Sequence, residues 1–206
     1  MSIDLSVFID KNPFLTPITD GVSSRVTSGR KNPLWFGFAK RLLRTREAAG
    51  LSVLAASKLA GMSHSGWRFV EIEQCVPCIN TVEKIALSLG VAPCWLGFGN
   101  DGEEPFQQKI PRLGSDDPSA PSPDPEKVIQ ATAYMGFPAR LTNARKAKDI
   151  SMRELSRRAD MSVNAVSLLE GGKTIPRVDN CEALALALDV APCWLAFGVG
   201  RGPALN

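Results

Sequence analysis

The sequence predicts an all-α protein made of two tandem five-helix domains joined by a Pro/Ser-rich acidic linker. Three observations carry this expectation. The chain repeats itself at a fixed offset, the repeated segments carry helical rather than strand periodicity, and the stretch between them cannot hold regular structure. The phrase Val91-Ala92-Pro93-Cys94-Trp95-Leu96-Gly97-Phe98-Gly99 recurs as Val190-Ala191-Pro192-Cys193-Trp194-Leu195-Ala196-Phe197-Gly198, 99 residues on. The register holds without a gap back to Gly37-Phe38 and Gly136-Phe137. About 25 of about 63 paired positions are identical, several times the chance level, and a period this long marks duplicated domains rather than solenoid units. Between the copies, Ser115-Asp116-Asp117-Pro118-Ser119-Ala120-Pro121-Ser122-Pro123-Asp124-Pro125 has too much Pro and Ser for a helix or a sheet ladder. The expected divisions are an N-terminal arm at 1–33, a first domain at 34–99, a linker at 100–135 and a second domain at 136–200.

Composition limits the function classes. The chain has 206 residues, 44% of them hydrophobic, enough for packed domains. Its net charge is only +3, with an acidic linker between basic halves, which permits nucleic-acid binding without demanding it. No run approaches the roughly 20 apolar residues of a membrane span, and the N-terminus lacks the pattern of a secretory signal. With five cysteines and no such signal, reduced thiols and a cytoplasmic location are expected.

The second copy gives the clearer local signals. Phe137 to Lys148 reads as a helix with Pro138 near its first position. Ser151-Met152-Arg153-Glu154 reads as a capping box opening a short second helix that runs to about Ala159. Asp160-Met161-Ser162 is a tight turn, and Ser162 caps a third helix reaching Glu170, closed by Gly171-Gly172-Lys173. Val178 to Leu188 forms a fourth helix, with Cys181, Leu184, Ala185 and Leu188 at helical spacing. Pro192 opens a short fifth helix whose Trp194, Leu195 and Phe197 are expected in the core. Nothing alternates with period two over a strand's length.

Two short Ser-capped helices joined by a tight turn make a helix-turn-helix. The order Ile150-Ser151-x-x-Glu154-Leu155-Ser156, then Met161-Ser162-x-x-x-Val166-Ser167-x-Leu169-Glu170-x-Gly172-Lys173, then Pro176, resembles the Cro/phage-repressor (XRE) family. The ending Val190-Ala191-Pro192-x-Trp194-Leu195-x-Phe197-Gly198 is similar to many of its members. The resemblance covers about two thirds of the chain, once per copy.

That resemblance implies a transcriptional regulator of bacterial or phage origin, a repressor, with double-stranded DNA as partner. It implies that Arg46 pairs with Glu71, and Arg145 with Glu170, tying the third helix to the first. It places Ser162, Val163, Asn164, Ser167 and Leu168 toward base edges. Asn164 can pair twice with adenine, and Val163 and Leu168 can meet thymine methyls. Lys173 resembles a phosphate contact, and Arg153 and Arg157 can reach the backbone. In the first copy Ser63, His64, Ser65 and Arg68 hold the matching places. That copy departs from the pattern. Gly66 sits mid-helix, Trp67 stands at a core position, and Glu73-Gln74 replaces Gly172-Lys173. A Gln common at the start of the second helix is absent from both copies, where Val53 and Met152 stand.

Other signals weigh less. Cys75-Val76-Pro77-Cys78 is a CxxC, but the second copy has Thr174 and Arg177 at the matching sites. Cys94 and Cys193 read as small core residues beside Trp. With one His in the chain and no phosphate-binding glycine loop or Ser/His/Asp set, no enzyme activity, cofactor or metal is expected. The alternative function is a protein-interaction adaptor with DNA binding lost in one or both copies. Two architectures stay open. One chain can set both third helices in successive grooves of an asymmetric operator, or second units of a homodimer can pair over a palindrome.

Overall fold

The computed structural model describes residues 33–99, 133–200 and 202–203, and it is all-helical. The first half holds a 3-10 turn at Leu34–Gly37 followed by α1 (Phe38–Ala48), α2 (Val53–Leu59), α3 (His64–Glu71), α4 (Ile79–Ser88) and α5 (Pro93–Phe98). The second half repeats the order: a 3-10 turn at Ala133–Gly136, then α6 (Phe137–Ala147), α7 (Met152–Arg158), α8 (Val163–Glu170), α9 (Val178–Leu188) and α10 (Pro192–Phe197). Among the described residues there is no strand, only an isolated antiparallel bridge between Cys78 and Arg177.

Local chemistry accounts for the helix ends. The hydroxyls of Ser52, Ser63, Ser151 and Ser162 each accept a backbone N–H from three residues on, satisfying donors that a helix start leaves orphaned. Pro93 and Pro192 open α5 and α10, where the missing N–H costs nothing. Only half of the expected capping box forms. Ser151 caps Glu154 N–H, but the Glu154 carboxylate turns outward to Arg157 and Arg158.

The fully buried side chains of the two halves join in one core cluster. In the first, Leu42, Trp67, Ile79, Val82, Ile85 and Leu96 pack together; in the second, Leu141, Leu155, Val166, Leu184, Leu188 and Leu195 do so. Each contributes roughly 1.5–3 kcal/mol relative to exposure. Trp194 is only partly buried, contrary to the sequence expectation, and so is Trp95. The buried residues of α10 are Leu195, Ala196 and Phe197. The chain passes over the Trp194 indole at Gly202, where a Cβ would lie 2.7 Å from the ring. Of the two repeated cysteines, Cys94 is buried and Cys193 only half-buried.

A half-buried arginine clamps the ends of each half. Arg41 Nε donates to Leu96 O at 2.9 Å, while Nη2 donates to Leu34 O at 3.2 Å and Gly97 O at 2.9 Å. Arg140 repeats this with Leu195 O, Ala133 O and Ala196 O. Carbonyls that end α5 and α10 without helical partners are thus satisfied. Desolvation lowers the Arg41 pKa to about 10, with the charge of Glu182 opposing the shift. Gly37 and Gly136 are small so that the guanidinium can pass: a Cβ at either would lie 2.3 Å from an arginine nitrogen.

The two halves are packed against each other through a reciprocal seam. Glu182 on α9, fully buried, accepts the N–H groups of Leu34 at 2.9 Å and Trp35 at 3.1 Å. Glu83 on α4, also buried, accepts those of Ala133 at 2.9 Å and Tyr134 at 3.0 Å. Ile79 N–H donates to Pro176 O and Val178 N–H to Pro77 O, both at 3.0 Å. The Phe98 and Phe197 rings meet with centroids 6.4 Å apart. Each of these contacts has its mirror at the 99-residue offset, which is the signature of a local two-fold axis. The turn at Ala133 begins inside the stretch read from sequence as linker, because its N–H groups are held by Glu83 of the other half, a tether no local pattern reveals.

Candidate nucleic-acid interface

In the second half, α7 and α8 are joined by a turn in which Asp160 takes a left-handed φ of 52°. The core side of α8 is set by Val166 and Leu169, both buried. The opposite side therefore carries Val163, Asn164 and Ser167, all exposed, with Leu168 half-exposed. Ser162 is exposed but its hydroxyl is already the helix cap. Lys173 and Arg153 are exposed. Arg157 is exposed too, yet it is paired with Glu154 at 2.8 Å, and Arg158 joins the same carboxylate at 2.7 Å. Hydrogen bonds from Arg157 and then Arg158 hold the Glu154 carboxyl down to about 2. Arg158 was missed by sequence reasoning, although it extends the basic edge of α7.

In the first half, Ser63, His64, Ser65 and Arg68 are exposed on α3, opposite the buried Trp67 and Val70. Ser63 spends its hydroxyl on capping Gly66. Gly66 does not break the helix. The surroundings differ from the second half: Leu54 and Leu59 are exposed where Arg153 and Arg158 stand, and Phe69 and Ile72 are exposed where Leu168 and Gly171 stand. Glu73 occupies the place of Gly172 with a φ of 62° against 65°, a left-handed backbone that suits glycine better.

In each half, an ion pair fixes the third helix to the first. Arg46 Nη2 lies 2.6 Å from Glu71 Oε1, and its Nη1 donates to Leu51 O at 2.8 Å. Arg145 Nε lies 2.6 Å from Glu170 Oε1, and its Nη1 donates to Ile150 O at 3.0 Å. These groups are largely buried, so neither is presented to solvent as a ligand contact. In the first half the Trp67 indole also donates to Glu71. Burial pushes the Glu71 carboxyl up, but hydrogen bonds from Arg46 and Trp67 and the charges of Arg46 and Arg68 more than offset it. The net position is below the ordinary carboxylate value.

The cysteine pair has a structural setting. Cys78 forms the inter-half bridge with Arg177, and burial pushes its thiol up, away from thiolate chemistry. Cys75 is exposed. Among the described residues, no group of three or more His, Cys, Asp or Glu side chains is placed to hold a metal ion. No helix among them is long and apolar enough to cross a membrane.

Residues 141–195 match the helix-turn-helix family. The match spans α6 to α10 from Leu141 to Leu195, so it contains the α7–turn–α8 unit and the Arg145–Glu170 pair. This stretch is a helix-turn-helix domain of the XRE type, and at the family level it supports a DNA-binding regulator. The match does not extend to the first half. No curated protein and no solved structure matches the chain.

Proposed function

We propose that the chain is a sequence-specific DNA-binding transcriptional repressor that carries both helix-turn-helix domains of a regulator dimer, residues 34–99 and 136–200, in one polypeptide. The observation that supports this best is the reciprocal seam. Isologous contacts relate α3 to α8 by a local two-fold, the relation that regulators of this architecture use to meet two half-sites one helical turn apart, about 34 Å. The seam is filled by the chain's own second half, so one chain suffices for two half-sites. A two-fold inverts them, and the differing surfaces of α3 and α8 make them unlike in sequence. The operator is therefore an imperfect inverted repeat.

In this reading Asn164 reads adenine, Val163 and Leu168 make apolar base contacts, and Lys173 and Arg153 hold phosphates. Ser63 and Ser162 act as helix caps more than as readers. The apolar exposure of Leu54, Leu59, Phe69 and Ile72 favours a second reading, in which the first half docks a protein while the second half alone binds DNA.

Selection of sites from random duplex DNA by the full chain tests the assignment. We expect a two-part site. Asn164→Ala relaxes preference at one base pair by about 1–3 kcal/mol, whereas Lys173→Ala weakens every sequence alike. A single half-site assigns the first half to another partner, and no enriched sequence removes the DNA reading altogether.

A further inference from the structure

Helical spacing puts Ser65, Arg68, Phe69 and Ile72 on one stripe of α3 and its C-cap, opposite Trp67 and Val70. All four are exposed, Phe69 to 49%. The matching stripe of α8 reads Asn164, Ser167, Leu168 and Gly171. Polarity, size or charge changes at three of the four positions, but an apolar side chain is kept at Phe69 and Leu168. Across the first half's motif the basic groups are thinned, although Arg68 stands for Ser167: Leu54 and Leu59 stand for Arg153 and Arg158, and Glu73-Gln74 for Gly172-Lys173. The first half thus offers a large apolar group at the centre of its exposed stripe and few cations to bind phosphate.

A phenyl ring has no hydrogen bond to give. The one feature of a major-groove base edge that it can read is the 5-methyl group of thymine. In the two-half-site arrangement proposed above, the Phe69 stripe takes in the first half the place that the Leu168 stripe takes in the second, so a duplex spanning both half-sites meets α3. We propose, resting on the DNA-reading assignment above, that Phe69 is a specificity-determining residue that reads a thymine methyl in the first half-site. Leu168 does the same in the second. The halves then divide the work. The second supplies phosphate contacts, whose strength falls with salt, and the first supplies base-dependent apolar contact that salt hardly alters.

The test uses the full chain and its selected duplex, with each thymine replaced in turn by uracil, which lacks only the methyl group. Binding is followed by fluorescence anisotropy. We expect one thymine of the first half-site whose replacement weakens binding about four-fold, the worth of one buried methyl. In Phe69→Ala that penalty disappears, while it persists in Leu168→Ala; a second thymine shows the opposite pattern. Thermal melting of Phe69→Ala checks that the half-exposed side chain is not needed for folding. Uracil tolerated throughout the first half-site overturns the proposal. So does a penalty that survives Phe69→Ala, or duplex affinity untouched by that change, which gives the face to a protein partner. Failure to select any duplex is a separate result, because it sinks the DNA reading itself.

Discussion

Replacing Glu182 by Ala perturbs the seam at one point and leaves both local folds without a direct lesion. The carboxylate is fully buried and accepts two backbone N–H groups of the other half, Leu34 at 2.9 Å and Trp35 at 3.1 Å. Its charge also offsets that of the half-buried Arg41. Hydrogen bonds to a charged group contribute about 1.5–3 kcal/mol each. Against this gross figure stands the desolvation cost of the carboxylate, which the substitution relieves. It also strands two donors and leaves a half-buried guanidinium less compensated, so the net loss comes to about 3 kcal/mol. With a urea dependence of about 2 kcal/mol/M, the unfolding midpoint falls by about 1.5 M. Urea titration followed by circular dichroism measures this. Glu83→Ala, the mirror change, should give a similar loss, and the double variant less than the sum, since the seam opens only once. A loss below about 1 kcal/mol in both single variants would refute the reasoning, because the carboxylates would then not be holding the halves together.

Trp67→Ala removes a fully buried indole and its bond to Glu71, and should cost about 3–5 kcal/mol in the same titration; the half-buried Trp194→Ala should cost clearly less. Glu73→Gly relieves a left-handed backbone and should stabilise by about 0.5–1 kcal/mol, and adding Gln74→Lys should steepen the salt dependence of duplex binding by about one phosphate contact. Glu71 has a folded-state pKa below its ordinary value of 4.5, so its contribution to stability is complete above that pH and is lost as pH falls below it. The urea midpoint should therefore decline from about pH 4.5 downward, and Glu71→Gln should flatten that decline while lowering the plateau.

The elements that depend on neighbouring residues were legible in the sequence. Ser151, Ser162 and Pro192 mark helix starts by local hydrogen bonding and fixed φ, and α9 runs over the Val178–Leu188 span expected from its spacing. The seam was not legible, because Glu83 and Glu182 look like ordinary helix-surface carboxylates until the other half is placed beside them. One signal was available. Arg41, Arg46, Glu71 and Glu83 recur as identical charged residues at the 99-residue offset, while most polar neighbours change. Only Arg46 and Glu71 were expected from the family resemblance; Arg41 and Glu83 turn out to bind backbone rather than side chains. Trp194 misled in the other direction, since apolarity at helical spacing does not tell the core of a six-residue helix from its rim. Phe69 shares the register of Leu168 in the sequence, but its exposure of 49% is fixed only by the structure.

The most direct measurement is the ratio of chains to DNA on the shortest duplex that retains full affinity, by native mass spectrometry or sedimentation. We expect one chain on a site of two inverted, unlike half-sites, with Glu182→Ala weakening the two-part site more than either half-site alone. Two chains on a symmetric site, with the ratio unchanged when the seam carboxylates are removed, would contradict the built-in dimer.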